Sequence, residues 1–147
     1  MTDIYSNVRA SLVKFCVLFA QEMKDAGIAQ PLFFNFDAHS QENQLPDADL
    51  IGLQGYAMDL TSPPTVSVMI GVSTMDDVNL DRLEAMTGKL VNRVLPGTMI
   101  PVLDAKTGKL LPVMKVMDGG SVSPAVRAEQ RPLKFVALQL GVASELG

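Results

Sequence analysis

Tryptophan is absent from the 147 residues, histidine and cysteine occur once each, and six phenylalanines and two tyrosines are the only aromatic side chains. A lone cysteine, Cys16, excludes an internal disulfide and points to a reduced compartment. It lies in an apolar run and is expected to be a small buried hydrophobe. One histidine and one cysteine leave a zinc site short of soft ligands, and no calcium-loop spacing occurs. So few aromatics give little to stack nucleic-acid bases on. No Asn-x-Ser/Thr sequon is present, in keeping with a cytoplasmic origin. The most apolar stretch near the start, "LVKFCVLFA", is interrupted by Lys14 and preceded by Asp3 and Arg9, and it falls far short of the roughly 20 residues of a membrane span. Neither a signal peptide nor a transmembrane helix is expected.

Positive charge is missing from one whole section. From Asp25 through Asp81 there is no Lys or Arg, against nine acidic residues. From Arg82 through Lys134 nine basic residues face four acidic ones, and the chain nets to -4. The basic residues are too scattered for a nucleic-acid patch; solvated surface, or an acidic face meeting a basic face on a neighbouring copy, accounts for the division. Against 19% charged residues stand 48% hydrophobic ones, which fits a protomer that buries further surface against copies of itself. The length suits one domain with a real core.

The segment "VSVMIGVSTMDDVNLDRLEAMTGKLVNRVLPG" changes period halfway. Val66, Val68, Ile70 and Val72 alternate as in a half-buried strand, and Leu80, Leu83, Met86, Leu90, Val91 and Val94 then recur at helical spacing. This predicts a strand followed by a helix over 79–95, with Asn79 in the N-cap region and Pro96-Gly97 as the stop. Ile4, Val8, Leu12, Phe15, Cys16, Phe19 and Met23 predict a helix over 4–26, capped by Thr2 or Asp3 and ended by Gly27. Val13, Val17 and Leu18 widen its apolar surface toward a second neighbour.

"PLFFNF" reads as a strand and 37–47 as a polar loop. "DLIGLQGYAMDL" and "TVSVMIGVST" flank "TSPP" as an antiparallel hairpin, in which Gly52, Gly55 and Gly71 mark bulges or close packing. "MIPVLD" and "LLPVMKVMD" form a second hairpin whose prolines favour edge positions. "GGSVSPAVRAEQRP" has turn chemistry, and "LKFVALQLGV" closes the chain as a strand. The fold class is therefore α+β: a mostly antiparallel β-sheet packed on one face by two main α-helices, in a single domain spanning 1–147. Phe15, Phe19, Val68, Ile70, Leu83, Leu90, Phe135 and Leu138 are the expected core.

Chemistry-bearing motifs fail on inspection. "TGKL" occurs at 87–90 and 107–110, but leucine stands where a phosphate loop needs its first glycine and its Ser or Thr. His39, in "FDAHSQE" beside Asp37, Ser40 and Glu42, is the one titratable cluster; sequence neighbours rarely form a nucleophilic constellation, so a solvated loop histidine is expected. Asp76-Asp77 sits before a helix, where the macrodipole favours acids. No cofactor fingerprint, and hence no cofactor, is read from these residues, and the chain is not expected to be an enzyme.

In layout the chain resembles the tail terminator, or tail completion, proteins of long-tailed bacteriophages. The resemblance is carried by the helix at 4–26, the hairpin "DLIGLQGYAMDLTSPPTVSVMIGVST", the helix "NLDRLEAMTGKLVNRVLP" and the last strand "RPLKFVALQLGV" after a polar stretch. Pro101, Pro112 and the long segment 119–132 depart from it. It implies a compact α+β protomer, six of which form a ring that ends the tail tube and joins it to the neck, assembled in the host cytoplasm and resident in the virion tail. The implied partners are further copies of the chain, the tail tube protein, a neck or head-completion protein, and DNA passing through the lumen without specific binding. No catalytic residue is carried across.

In a ring, adjacent copies meet through two different surfaces. Arg127, Arg131, Lys106 and Lys109 from the basic span, and Asp47 and Asp49 from the acidic one, are the candidate interface residues. Arg127 and Arg131 are favoured because their segment reads as irregular and exposed. Acidic surplus along a lumen would also keep DNA from adhering. The alternatives are another ring-forming neck or tail-tube component and, from other classes, a toxin-neutralising or regulatory binding module, or a small ligand-binding or enzymatic α+β domain using His39 and Asp37.

Overall fold

The computed structural model of the chain describes residues 3–142, with the side chains of all of these except 110–112. Helix α1 (Ile4–Asp25) begins where the Asp3 carboxylate accepts the Ser6 N–H at 3.0 Å. It ends in a left-handed Gly27 (φ 71), with the Ile28 N–H on the Met23 carbonyl and the Gly27 N–H on that of Lys24. Only a residue without a Cβ turns the chain this way cheaply while satisfying the last carbonyls. Val8, Leu12, Cys16, Phe19 and Met23 form its buried stripe, and burial pushes the Cys16 thiol up to about 12.

Strands β1 (Leu32–Phe33), β2 (Leu50–Asp59) and β3 (Thr65–Ser73) follow, then helix α2 (Asp81–Arg93) and strands β4 (Met99–Leu103), β5 (Leu110–Val116), β6 (Ser121–Val122), β7 (Val126–Ala128) and β8 (Arg131–Val142). They make one sheet in the order β1-β2-β3-β8-β5-β4, with β6 and β7 also paired to β8. Every pairing is antiparallel except β1 with β2. Helix α1 touches β1, β2 and β4, which stand at the two ends of that order, so the sheet curls around it. The two helices cover one face: Val8, Leu12, Leu83, Met86 and Leu90 pack with Leu53, Val68, Ile70, Val136, Leu138 and Leu140 in a single apolar cluster. This is the α+β fold that the alternating and helical periods predict.

Several details differ from expectation. "PLFFNF" pairs only at Leu32–Phe33 before turning into a short 3-10 helix (Phe36–Ala38). The stretch 119–132 is not all loop, since β6 and β7 both draw their pairing from β8. Asn79 does not cap α2. The Asp77 carboxylate does, accepting the Arg82 and Leu83 N–H groups at 3.2 and 2.8 Å and the Thr74 hydroxyl at 2.8 Å. Burial pushes the Asp77 carboxyl up, but those three bonds and the Arg82 charge outweigh it and leave it below the usual carboxylate range. Of the expected core, Phe15 is only partly buried and Phe135 lies on the other face of the sheet, because odd-numbered β8 residues point away from Val136 and Leu138.

That second face carries its own small cluster of Phe34, Phe36, Leu45, Leu50 and Leu133. Gly52 and Gly71 are direct cross-strand partners on it. A Cβ on Gly52 would stand 1.6 Å from the Phe34 carbonyl oxygen, and one on Gly71 would stand 2.8 and 2.9 Å from the Phe135 and Phe36 rings. The paired glycines open a hollow that backbone and aromatic rings fill, with Phe36 meeting Phe34 and Phe135 edge to face at 5.4 and 5.9 Å. Gly55 (φ 68) sits at the bulge between Gln54 and Ala57. At the far end of the sheet β4 is an edge. Pro101 has no N–H to offer there, the Leu103 N–H is held by the Ser11 hydroxyl at 2.9 Å, and the Ala105 N–H by the Asn7 side-chain carbonyl at 2.8 Å.

Two substitutions separate these layers. Leu83→Ala removes a fully buried side chain and is expected to lower unfolding free energy by about 2 to 5 kcal/mol. Gly52→Ala is expected to destabilise through backbone displacement, with Phe34 forced off the sheet. Urea unfolding measures both, and an unchanged midpoint for either variant contradicts the corresponding packing.

Candidate functional site

The six residues singled out from the charge pattern divide into two kinds. Arg131 is not a surface residue: it is 4% exposed. Its guanidinium donates to the Ser73 hydroxyl at 2.8 Å, to the Pro46 carbonyl at 2.6 Å, and to the Ala48 carbonyl. The Ser73 hydroxyl in turn donates a hydrogen bond to the Pro132 carbonyl at 2.6 Å. A buried cation is tolerated only when its donors are filled. Burial holds its pKa below the ordinary arginine value, with Asp49, Glu129 and Asp47 nearby opposing that effect.

Asp49 is likewise internal, its side chain 11% exposed. It accepts a two-pronged contact from Arg82, at 2.7 and 3.1 Å, and the Met75 N–H at 3.0 Å, while Arg82 also reaches the Met75 carbonyl. The bond to Asp49 raises the Arg82 pKa despite partial burial. The two arginines clamp the segment 46–49 against the sheet. Nothing in the charge pattern distinguishes them from surface cations; their acceptors in the segment 46–49 lie 33 to 85 residues away in sequence.

Arg127, Lys106, Lys109 and Asp47 are exposed. Arg127 donates to the Gln130 carbonyl within its own turn at 3.0 Å, and the lysines flank the β4–β5 turn, where the Asp104 carboxylate holds the Lys106 and Thr107 N–H groups.

The histidine cluster is not assembled as a catalytic set. His39 Nε2 meets Glu129 Oε2 at 2.7 Å, and the same oxygen accepts the Leu45 N–H at 3.1 Å. Asp37 instead holds the Gly55 N–H, the Ser40 hydroxyl accepts the Glu42 and Asn43 N–H groups, and Cys16 is in the core. The contact to Leu45 first, and His39 second, hold the Glu129 carboxyl below its ordinary value. The cluster pins the polar loop to the β7–β8 turn. Among the described residues no group of three or more His, Cys, Asp or Glu is placed to hold a metal ion, and no helix is long and apolar enough to cross a membrane.

Uncovered apolar surface is the more telling feature. A groove of about 810 Å³ runs between the β2–β3 turn and β5, walled by Pro63, Pro96, Met99, Val113 and Met117 with Lys115 at its side. A narrower slot between α2 and β6 shares Pro96, Val116 and Met117 with it. Elsewhere a cleft of about 310 Å³ opens between α1 and β1, walled by Val17, Ala20, Leu32 and Phe33, with Lys24 the one charged residue lining it. Val17 and Leu32 are 49% and 53% exposed. Large apolar side chains also project singly, Leu60 from the β2–β3 turn at 90% and Val78 from the loop before α2 at 94%. Sequence periodicity marked Val17 and Leu18 as surplus apolar surface. It had no signal for the groove, whose walls come from four separate segments.

Arg131→Met is expected to lower stability clearly, since it strands the Pro46 and Ala48 carbonyls, whereas Arg127→Glu changes the unfolding midpoint little; thermal unfolding of the pair checks this. A second expectation concerns acid. Because the Glu129 carboxyl is depressed in the folded state, its stabilising contribution is complete above the unfolded value of about 4.3 and is lost as pH falls through the folded value. Protection of the Leu45 amide against hydrogen exchange, taken relative to the intrinsic rate at each pH, is therefore expected to fall only below about pH 4, and Glu129→Gln to give weaker protection at neutral pH with a flatter acid response. An unaltered profile in that variant removes Glu129 as the pin. Comparison of the chain with protein-family models, with curated proteins and with solved structures gives no match.

Proposed function

We propose that this chain is a structural assembly protein whose copies form a ring, six in number, that caps a bacteriophage tail tube and connects it to the neck. The observation that carries the reading is that one protomer bears two unlike apolar surfaces without cover, the cleft between α1 and β1 and the methionine-walled groove beside β5. A closed ring needs two such unlike surfaces on each copy, because its contacts are heterologous. The layout that resembles tail terminators supplies the choice among ring-forming proteins.

Val78, 94% exposed in the loop before α2, is a candidate for contact with the tube or the neck. Methionines at the groove fit a surface that must adapt to a partner. The protein would act by forming interfaces, in the virion tail after assembly in the host cytoplasm.

Sedimentation velocity and negative-stain electron microscopy, with and without tail tube protein, test the reading. Rings with a central hole and a mass near six protomers, formed alone or on tubes, are the expected result. A chain that stays monomeric at high concentration and leaves tube length unregulated overturns it.

A further inference from the structure

We infer that copies of this chain join head to tail by inserting the β2–β3 turn of one copy, with Leu60 at its tip, into the cleft between α1 and β1 of the next. The inference rests on the assembly reading above and names the contact by which the copies meet.

The turn is the knob. Residues 60–64 join two strands paired out to Asp59 and Thr65, and Leu60 at 90% exposure touches almost nothing in its own chain. The Thr61 hydroxyl donates to the Pro63 carbonyl at 2.9 Å, which stiffens the loop, and the two prolines limit its freedom further. A stiff loop loses little entropy on docking.

The cleft is the hole. At about 310 Å³ it accommodates a leucine side chain, and Val17, Ala20, Leu32 and Phe33 give that side chain apolar walls. Charge is complementary at the same place: Asp59 is the one charged residue at the turn, and Lys24 the one charged residue lining the cleft. Gln30 and Gln21 also line the cleft; the Gln21 amide nitrogen is held by Asp25 at 2.8 Å, which leaves its carbonyl and the Gln30 amide to meet the Thr61 and Ser62 hydroxyls.

Placement forbids a copy from filling its own cleft. Leu32 pairs with Leu50, and Leu50 with Ser73, so the cleft lies at the opposite end of the β2–β3 hairpin from its turn. Knob and hole are different surfaces at opposite ends of the hairpin, so the contact is heterologous: it propagates from copy to copy and closes into a ring when the rotation between copies permits.

Cysteine cross-linking tests the contact, because Cys16 is buried and stays silent. Leu60→Cys and Leu32→Cys are both made at exposed sites. Mild oxidation of either variant alone is expected to give no dimer, and an equal mixture to give a disulfide-linked one. As a second measurement, Asp59→Lys or Lys24→Asp alone is expected to weaken self-association roughly tenfold through like-charge contact, and the two reversals combined in one chain to recover most of it.

Rings seen by microscopy with no mixed cross-link and no charge rescue overturn this contact while leaving the assembly reading in place. A cross-link in Leu60→Cys alone also overturns it, since that reports a symmetric turn-to-turn contact. A chain that remains monomeric and uncross-linked under all conditions, its cleft serving some other partner, overturns both.

Discussion

A strand has two edges, each a row of backbone donors and acceptors that must be filled once water is excluded, and the twelve residues of β8 fill theirs with four other strands. One edge pairs with β3 from Leu133 to Gly141. The other is shared in succession by β7, β6 and β5. Through β3 it holds β2 and β1, and through β5 it holds β4. Its even-numbered side chains Val136, Leu138, Leu140 and Val142 enter the helix-covered cluster, while Leu133 and Phe135 serve the smaller aromatic one. Both layers of the molecule are set by the alternation of this one strand.

The fold was legible where an element carries its own period over enough residues. Residues 65–73 alternate and 4–25 recur at helical spacing, and each buries the face that its pattern indicates. Legibility failed where stability is borrowed. Strands of two and three residues such as β6 and β7 have no pattern long enough to read and exist because β8 offers them partners. The "PLFFNF" segment has strand composition, yet only Leu32 and Phe33 pair; its remaining aromatics are turned inward by the hollow over Gly52 and Gly71, a demand set by residues some 20 to 35 positions further along.

The candidate interface residues failed for a related reason. An arginine in a stretch rich in turn residues reads as solvated, and Arg127 obeys. Arg131, four residues on, is drawn inside by carbonyls at Pro46 and Ala48 and by the Ser73 hydroxyl. Asp49 is held in the same way by Arg82 and the Met75 N–H. Part of the bipolar charge pattern is therefore internal: basic residues after position 81 close onto the acidic section before it. Among the charges that remain outside, Asp59 at the turn carries no distinguishing mark in the sequence, nor does Lys24 at the cleft.

The finish of the β4 edge sets how this chain is able to misassemble. An unpaired edge is a template on which further chains add as strands, with no fixed end point. Here Pro101 interrupts the row and α1 occupies part of it through Ser11 and Asn7. A newly made pool of protomers, concentrated before any partner arrives, is thereby kept from zipping into fibres along this border, and its encounters are left to side-chain surfaces that bind reversibly and dissociate when misaligned.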